Sequence, residues 1–154
     1  MITIWQGKFE DLVEIQNCNI TCLPENYTFK YYYYHFLCWP QLIFVAEDTS
    51  SGRIAGYVIG KADDETPDTG HVTSLAVRRE YRKLGIAKKL MEQLHMAMVE
   101  TLGLKRVTLN VRRSNFSALN LYQKCLSYDV TKTDFAYYAD KEDAFFMTKE
   151  LTQC

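Results

Sequence analysis

The sequence predicts an α/β protein built on one mixed β-sheet with helices on both faces. Segments with strand character and segments with helical periodicity follow one another in the order β, α, α, β, β, β, α, β, α, β, β, which such a sheet satisfies. The 154 residues are 47% hydrophobic and 24% charged, as expected of a globular chain with its own core. No repeat, linker or low-complexity tract divides them. Residues 1–154 are therefore expected to form a single domain with about seven strands and about four helices.

Hydrophobic periodicity and turn residues place the individual elements. Strands are expected at Ile2–Trp5, Leu42–Glu47, Arg53–Lys61, His71–Val77, Arg106–Val111, Tyr128–Phe135 and Ala144–Leu151. Helices are expected at Phe9–Ile20, Thr28–Trp39, Ile86 to about Gly103, and Asn115–Cys125. Pro24 separates the first two because proline cannot continue a helical hydrogen-bond ladder. The second helix carries aromatic residues on every side, so it is either enclosed on most sides or exposed to a partner or substrate.

The loop at Arg82–Ala87 lies between the fourth strand and the third helix and has the properties of an anion site. The first turn of a helix leaves backbone N–H groups without intrahelical partners, and the helix dipole adds partial positive charge there. Gly85 lacks the Cβ that would hold a phosphate away from the backbone, and Arg82 and Lys83 add full charges. The alternative is a solvated basic turn that binds nothing. Neither the dinucleotide glycine fingerprint nor the nucleotide-triphosphate loop is present.

Charge and cysteine content exclude several functional classes. The net charge is −1, so the general positive field of a nucleic-acid-binding protein is absent. Basic residues cluster around the loop instead, at Arg78, Arg79, Arg82, Lys83, Lys88 and Lys89. The five cysteines are odd in number and contain no Cys-x-x-Cys pair, which argues against a disulfide framework or a metal site. No apolar run has the length of a membrane span and no signal peptide is visible, so a cytoplasmic protein without membrane contact is expected.

The pattern Arg-x-x-Gly-x-Ala at Arg82–Ala87 resembles the acetyl-CoA pyrophosphate loop of the GNAT acetyltransferases. Read across nearly its whole length, the chain resembles the catalytic subunits of the NatA type of protein N-terminal acetyltransferase. The blocks that carry this resemblance are Leu23–Tyr27, Trp39–Leu42, Gly70–Val77, Arg82–Ala87, Val111–Arg112, Ser114–Asn115 with Ala118, Leu121–Tyr122, Tyr137–Asp140 and Glu142–Ala144. The resemblance implies the GNAT fold, with a splayed sheet, acetyl-CoA as cosubstrate and no metal.

The resemblance also implies which residues bind acetyl-CoA. Leu75, Ala76 and Val77 would pair their backbone with the pantetheine arm, as an added strand does. Arg82, Lys83, Gly85, Ile86 and Ala87 would hold the pyrophosphate. Asn115 and Tyr122, seven residues apart and so on one helix face, would face the arm and its sulfur.

The reaction implied by the resemblance is direct transfer of acetyl to the α-amino group of a protein or nascent peptide. Tyr122 would protonate the departing thiolate, or it is a core tyrosine packed on the sheet. Glu25 would be the general base, or it is a carboxylate at a helix N-terminus. His71 would act as a relay through water, or it is structural. An α-amino group has a pKa of about 8 against about 10.4 for lysine, so a modest base is sufficient.

The substrate end of the site is implied to include Leu23, Pro24, Glu25, Arg112, Tyr137 and Tyr138. The family also implies a large helical auxiliary subunit, docked on the aromatic second helix and its flanking loop, that places the enzyme at the ribosome. In the complex small first residues are favoured, and acidic ones by the subunit alone. Two alternatives remain open, namely a GNAT enzyme acting on lysine or a small amine, and a non-catalytic module that binds acyl-CoA or a partner.

Overall fold

A computed structural model describes residues 1–23 and 26–151 of the chain. The strands are β1 (Ile2–Gln6), β2 (Ile43–Asp48), β3 (Arg53–Ala62), β4 (Thr69–Val77), β5 (Arg106–Arg112), β6 (Asp129–Asp134) and β7 (Ala144–Glu150). The helices are α1 (Leu12–Cys22), α2 (Phe29–Cys38), α3 (Ile86–Leu102) and α4 (Phe116–Asn120). Every element expected from the sequence is present. No helix in the described ranges is both long and apolar enough to span a bilayer.

The strands form one seven-stranded sheet in the order β1-β2-β3-β4-β5-β7-β6. Neighbours are antiparallel except β4 and β5, which run parallel, so the sheet is mixed. Helices α3 and α4 pack on one face of the sheet, while α1 and α2 pack on the other. The predicted fold class is therefore confirmed.

The third helix lies close against the sheet. Leu90, Leu94 and Met98 on its inner side are completely buried. Gly70 in β4 permits this approach, because a Cβ at that position would lie only 2.7 Å from the Met98 sulfur. The helix that begins at the predicted anion site is thus fixed to the central strands by its apolar face.

Only one side of α2 is buried. Tyr32 and His35 are 0% and 4% exposed, whereas Tyr33, Tyr34 and Leu37 on its other sides are 41%, 54% and 60% exposed. Of the two alternatives for this helix, enclosure on most sides is wrong. Its outer aromatic side chains are available to a partner.

Two helices differ locally from the prediction. The turn at Phe9–Asp11 is a 3₁₀ turn rather than the start of α1, and the Lys8 amide donates to the Asp11 carboxylate at 2.9 Å. The helix predicted at Asn115–Cys125 is α-helical only to Asn120, and Leu121–Cys125 form a π-helical turn. One extra residue is accommodated in that turn, so the side chains after Leu121 are displaced around the helix axis.

The feature of the sheet that shapes the site is a wedge between β4 and β5. The two strands pair only at Thr69 with Arg106, Gly70 with Val107 and His71 with Thr108. Beyond His71, the described part of β4 pairs with β3 alone, and β5 pairs with β7. The two parallel strands therefore splay apart and leave the backbone edge of β4 open toward a ligand.

Candidate active site

The first turn of α3 has free amide donors. Gly85 precedes the helix with φ of 76°, in the left-handed region where a side chain is strained, and nothing lies within 4 Å of the position of a Cβ. The first backbone bond is from the Lys89 amide to the Gly85 carbonyl at 3.1 Å, so the amides before it have no intrahelical partner. Within the described residues no side chain caps this end. An anion fits here, as the sequence predicts.

The basic residues around this turn divide into two groups. Arg79, Lys83, Lys88 and Lys89 are exposed, and so is Arg82, whose Nε donates to the Val77 carbonyl at 3.0 Å. Arg78 is buried, donates from Nε to the Ile54 carbonyl at 2.9 Å and lies 3.7 Å from Glu14. Arg78 therefore holds the α1 side of the sheet together, and its place in the predicted anion cluster is wrong.

The wedge and the first turn of α3 are continuous. Leu75, Ala76 and Val77 form the end of β4 where it no longer pairs with β5. The bond from Arg82 to the Val77 carbonyl ties the loop to the last residue of this strand. A ligand bound along the open edge would thus reach the amides at the start of α3 without leaving the surface.

Tyr122 and Asn115 lie on two different kinds of helical turn. Tyr122 is 8% exposed, its hydroxyl makes no hydrogen bond within the described residues, and burial raises its pKa. Asn115 is the N-cap of α4, where its Oδ1 accepts a hydrogen bond from the Ala118 amide at 3.2 Å. The expectation of one regular helix from Asn115 to Cys125 is wrong, because a π turn begins at Leu121.

His71 lies at the fork of the wedge. Its Nδ1 is 2.8 Å from the Thr108 hydroxyl, which in turn donates to the Gly70 carbonyl. Thr108 therefore accepts from Nδ1–H, and Nε2 remains as the lone-pair nitrogen. Burial is the main cause that lowers the His71 pKa to about 4, and the positive charge of Lys61 lowers it further. The negative charge of Asp63 acts in the opposite direction. The imidazole is neutral at physiological pH.

A pocket of about 360 Å³ adjoins His71. It is lined by Lys61, Asp63, Asp64, Glu65, His71, Thr108, Asn110, Tyr137 and Phe146. The acidic loop after β3 supplies three carboxylates against one lysine, so the local field favours a cationic group such as an ammonium. Tyr137 contributes from the β6–β7 loop and is 53% exposed. It lies near enough to Tyr31 of α2 to raise the pKa of that phenol further, although burial is the main cause.

Arg112 holds the β6–β7 loop against the end of β5. Its Nη1 donates to Asp140 at 2.8 Å and to Glu142 at 2.9 Å, and its guanidinium lies 4.1 Å from the centre of the Tyr138 ring. Hydrogen bonding to these carboxylates, for which Arg112 is one donor, lowers the pKa of both. Arg112 therefore positions Tyr138 within the loop that also carries Tyr137.

The C-terminal end of α1 is anchored beside the wedge. Asn19 donates to the Tyr57 hydroxyl at 3.1 Å, and that hydroxyl lies 2.7 Å from the Ser74 hydroxyl in β4. Cys22 lies 3.7 Å from the Val77 carbonyl, and Leu23 ends the helix with its amide on the Asn19 carbonyl. Sequence reasoning missed this buried network. An asparagine between apolar positions of the first helix was the available signal.

Two of the predicted site residues, Pro24 and the expected base Glu25, lie outside the described residues. Leu23, the residue before them, is held next to the open end of β4 by the contacts above. Across residues 1–23 and 26–151, no group of three His, Cys, Asp or Glu side chains is close enough to hold a metal ion.

Comparison with known proteins agrees with this geometry. The Acetyltransferase (GNAT) family profile matches residues 12–128. The chain belongs to the GNAT acetyltransferase family. This GNAT protein is 49% identical over 149 residues to the N-alpha-acetyltransferase daf-31 of Caenorhabditis elegans, covering 96% of this chain and 81% of that one. It is 50% identical over 152 residues to the N-terminal acetyltransferase A complex catalytic subunit NAA10 of Arabidopsis thaliana, covering 98% and 79%.

Two solved structures are similar to this GNAT protein over nearly its whole length. A chain of the NatC complex bound to Gag peptide and CoA superimposes with a TM-score of 0.89 at 30% identity, over 98% of this chain and 99% of that one. Naa20 of Chaetomium thermophilum, in complex with a bisubstrate analogue, gives a TM-score of 0.83 at 31% identity, over 97% and 86%. The family and the GNAT fold predicted from the sequence are confirmed.

Proposed function

We propose that this GNAT protein transfers an acetyl group from acetyl-CoA to the α-amino group of protein and nascent-peptide N-termini. The observation that carries the proposal is the open edge of β4, which leads directly into the uncapped first turn of α3. A thioester carrier with an extended amide-bearing arm and two linked phosphates matches that surface. The N-terminal acetyltransferases that share about half of this sequence support the choice of substrate.

The chain's own residues fit acetyl-CoA in three places. Leu75, Ala76 and Val77 lie where β4 pairs with β3 but no longer with β5, so the edge of the strand that faces the wedge is open to the amides of the arm. The amides of Gly85, Ile86 and Ala87, with the side chains of Arg82 and Lys83, suit the pyrophosphate. Asn115 and Tyr122 are expected to face the arm and sulfur. When bound, acetyl-CoA supplies an acyl group activated as a thioester, whose sulfur leaves with the bonding electron pair as the amine nitrogen attacks.

The attacking amine requires little help to lose its proton. With a pKa of about 8, roughly a fifth of peptide N-termini are free base near pH 7.4, against about 0.1% of lysines. Transfer from an ammonium of pKa about 8 to His71, with its pKa of about 4, is uphill by roughly 5 kcal/mol. An ordinary glutamate has a similar pKa of about 4.3, so a glutamate acting as the base would face the same uphill transfer. Either residue therefore passes the proton to water rather than keeping it.

Tyr122 is the candidate acid for the departing sulfur. Burial raises the pKa of its phenol, so the hydroxyl keeps its proton at physiological pH and can donate it. Its hydroxyl makes no competing hydrogen bond within the described residues. A positioned donor of this kind contributes about 10²- to 10⁴-fold to the rate.

The peptide is expected to enter between the end of α1 and the β6–β7 loop. Leu23, with Pro24 and Glu25 after it, would border the first residue on one side. Tyr137 and Tyr138, the latter held by Arg112, would border it on the other. The acidic pocket beside His71 suits the incoming ammonium.

We infer that a large helical auxiliary subunit covers the exposed side of α2. We call this the α2 surface, and it comprises Phe9, Val13, Phe29, Tyr33, Tyr34 and Leu37, all at least 36% exposed. Phe9 makes edge contacts with Phe29 and Tyr33 at 6.5 and 5.7 Å between ring centres, so the rings form one apolar patch. The relative NAA10 is named as a subunit of a complex, which supports a protein partner. A cytoplasmic, ribosome-associated complex without direct nucleic-acid contact is the setting proposed.

The experiment that tests this function uses a library of peptides that vary at the first residue and carry one internal lysine. Mass spectrometry of the products after incubation with acetyl-CoA should find acetyl on the α-amino group alone. Acidic first residues should react best with the isolated chain, and small ones after the auxiliary subunit is added. Acetylation of the internal lysine, or CoA binding without turnover, would replace the proposal with one of the two alternatives.

A further inference from the structure

A buried histidine–tyrosine pair lies directly behind Tyr122. The Nε2 atom of His95, in the middle of α3, is 2.6 Å from the hydroxyl of Tyr128. The two residues are 8% and 2% exposed, so this hydrogen bond is shielded from water. Neither residue belongs to the predicted site. A polar pair in the middle of an apolar core needs a reason, because nonpolar side chains would fill the same space without a desolvation cost.

Tyr128 contacts Tyr122 through both its ring and its backbone. The two ring centres are 5.7 Å apart with the planes inclined at 56°. The Tyr128 amide donates to the Tyr122 carbonyl at 2.8 Å. Since the Tyr122 hydroxyl makes no hydrogen bond of its own within the described residues, the direction of its phenol depends on this packing.

The backbone that carries Tyr122 also needs outside support. This segment is a π-helical turn, which is closed by a hydrogen bond from the Leu126 amide to the Leu121 carbonyl at 3.1 Å. Such π turns are rare and less stable than an α-helix. The Lys149 ammonium donates to the Leu126 carbonyl at 2.6 Å from β7. His95 holds Tyr128 from α3. The turn is thus fixed from the sheet on one side and from the third helix on the other.

The pair is uncharged under physiological conditions. Burial and the nearby Lys149 ammonium lower the pKa of His95 to about 4, and burial raises the pKa of Tyr128. The 2.6 Å contact is therefore a hydrogen bond between neutral groups, fixed by the packing around both. This hydrogen bond fixes the relative positions of the two side chains and takes no part in proton transfer.

We propose that the hydrogen bond between His95 and Tyr128 positions the phenol of Tyr122 for proton donation to the departing thiolate. His95 and Tyr128 are positioning residues, and they couple the donor to α3, the helix whose first turn is the proposed pyrophosphate site. Misplacement of a catalytic group by about 1 Å can lower the rate on the order of 10²-fold. The rate gained by a rigid support for the phenol therefore offsets the desolvation cost of burying the polar pair. The proposal rests on the proposed function, in which Tyr122 is the proton donor.

The test is a double-mutant cycle with Tyr128→Phe and Tyr122→Phe, measured as α-amino acetylation of one good peptide. Tyr128→Phe keeps the ring and removes only the hydroxyl. It should lower kcat about tenfold, with the KM for acetyl-CoA within about twofold of wild type. In the Tyr122→Phe background the same change should cost less than about twofold, because the donor being positioned is already gone.

Two further variants separate positioning from general loss of core stability. His95→Gln keeps a hydrogen-bonding group near the position of Nε2 and should retain more activity than His95→Leu. Tyr32→Phe removes a buried hydroxyl from the opposite face of the sheet and should leave kcat unchanged. Thermal unfolding of each variant shows that the assayed protein is folded.

The outcomes distinguish this proposal from the proposed function. Equal losses from Tyr128→Phe in both backgrounds, or no loss in either, would overturn the positioning role while leaving the acetyltransferase intact. Full activity of Tyr122→Phe would overturn it too, since there would be no donor to position. An inactive wild-type protein that still binds CoA would overturn the proposed function, and the positioning role with it.

Discussion

Tyr122 combines three properties that a proton donor needs. It is buried, burial raises its pKa so that the hydroxyl stays protonated, and the hydroxyl is not engaged by a described neighbour. A structural tyrosine in a core usually finds a hydrogen-bond partner, because an unpaired buried hydroxyl costs about 1–3 kcal/mol. The Tyr32 hydroxyl is also buried without a partner among the described residues, so the assignment of Tyr122 rests on its place in the blocks that resemble the family and not on the missing hydrogen bond alone.

Tyr122→Phe is expected to lower kcat by about 10²-fold, because it removes the donor and keeps the ring. The KM values for peptide and acetyl-CoA should stay within about twofold, since the lost interaction is made mainly in the transition state. Steady-state kinetics with a peptide of fixed sequence measures both. Tyr33→Phe on the α2 surface is the control and should behave as wild type. An unchanged kcat for Tyr122→Phe would remove the catalytic assignment.

At the scale of elements, α3 joins the proposed anion site at its first turn to the core and has a left-handed glycine at each end. Gly85 precedes it at φ 76°, and Gly103 follows it at φ 61°. Neither has an atom within 4 Å of the place where a Cβ would project. The two glycines thus carry the same backbone strain and differ in one respect, since only Gly85 lies at the proposed phosphate site.

Gly85→Ala and Gly103→Ala form a matched pair. Each should lose about 1–2 kcal/mol of unfolding free energy, because an L-residue is strained in the left-handed region. Only Gly85→Ala should also raise the KM for acetyl-CoA, by about tenfold or more, as its methyl group separates phosphate from the amides. Urea unfolding and acetyl-CoA titration measure the two effects. Equal KM values for both variants would place the phosphates elsewhere.

The exposed side of α2 leads to a prediction about assembly. Tyr33→Ser and Leu37→Ser together should weaken binding of the auxiliary subunit by at least tenfold, because they remove apolar area from the centre of the α2 surface. Acetylation by the isolated chain should not change, since neither side chain lines the acidic pocket. Met96→Ser, which changes an equally exposed residue of α3, is the control. Unaltered subunit affinity measured by calorimetry would exclude this surface.

Local chemistry explains which elements the sequence predicted correctly. The loop that leads through Gly85 into the uncapped first turn of α3 was predictable because the glycine and the apolar face of the helix are contiguous in the chain. All seven strands were predicted to within about two residues, since each carries its own hydrophobic pattern and turn residues.

What the sequence did not predict depends on contacts between distant residues. The π turn at Leu121–Cys125 changes neither composition nor apolar spacing, and Lys149 helps to fix it from a strand more than twenty residues later. In the sequence, nothing separates Arg78 from the basic residues around it. Only its tertiary contacts with the Ile54 carbonyl and the Glu14 carboxylate show that it is a buried structural residue. In both cases the tertiary partner overrides the local pattern.

At the scale of the whole molecule, all three histidines lie in surroundings that disfavour their charged form, two of them buried and His71 partly buried. Burial lowers the pKa of His35, His71 and His95, the last two to about 4 from an ordinary value of 6.5. One lies on α2, one at the fork of the wedge and one in α3, so both faces of the sheet and its centre are affected. Protonation of any of them favours the unfolded chain.

The stability of the protein should therefore fall as the pH drops from about 6.5 toward 4. Above pH 6.5 each histidine is neutral in both states and contributes no pH dependence. Below it the unfolded chain takes up a proton at His71 and at His95 that the folded chain refuses. Each then lowers the unfolding free energy by up to about 1.4 kcal/mol per pH unit.

Urea unfolding at intervals between pH 5 and 7.5 measures this slope. His95→Gln should lower the slope of unfolding free energy against pH by the amount that uptake of one proton contributes, because glutamine does not titrate in this range. Any loss of stability that is already present at neutral pH adds a constant to this effect. The carboxylates with lowered pKa, such as Asp48, act in a separate window at lower pH, since they protonate only below about pH 4 even when unfolded. An identical slope for wild type and His95→Gln would mean that His95 is not held neutral in the folded protein, and its hydrogen bond to Tyr128 would then join a charged donor to the hydroxyl oxygen.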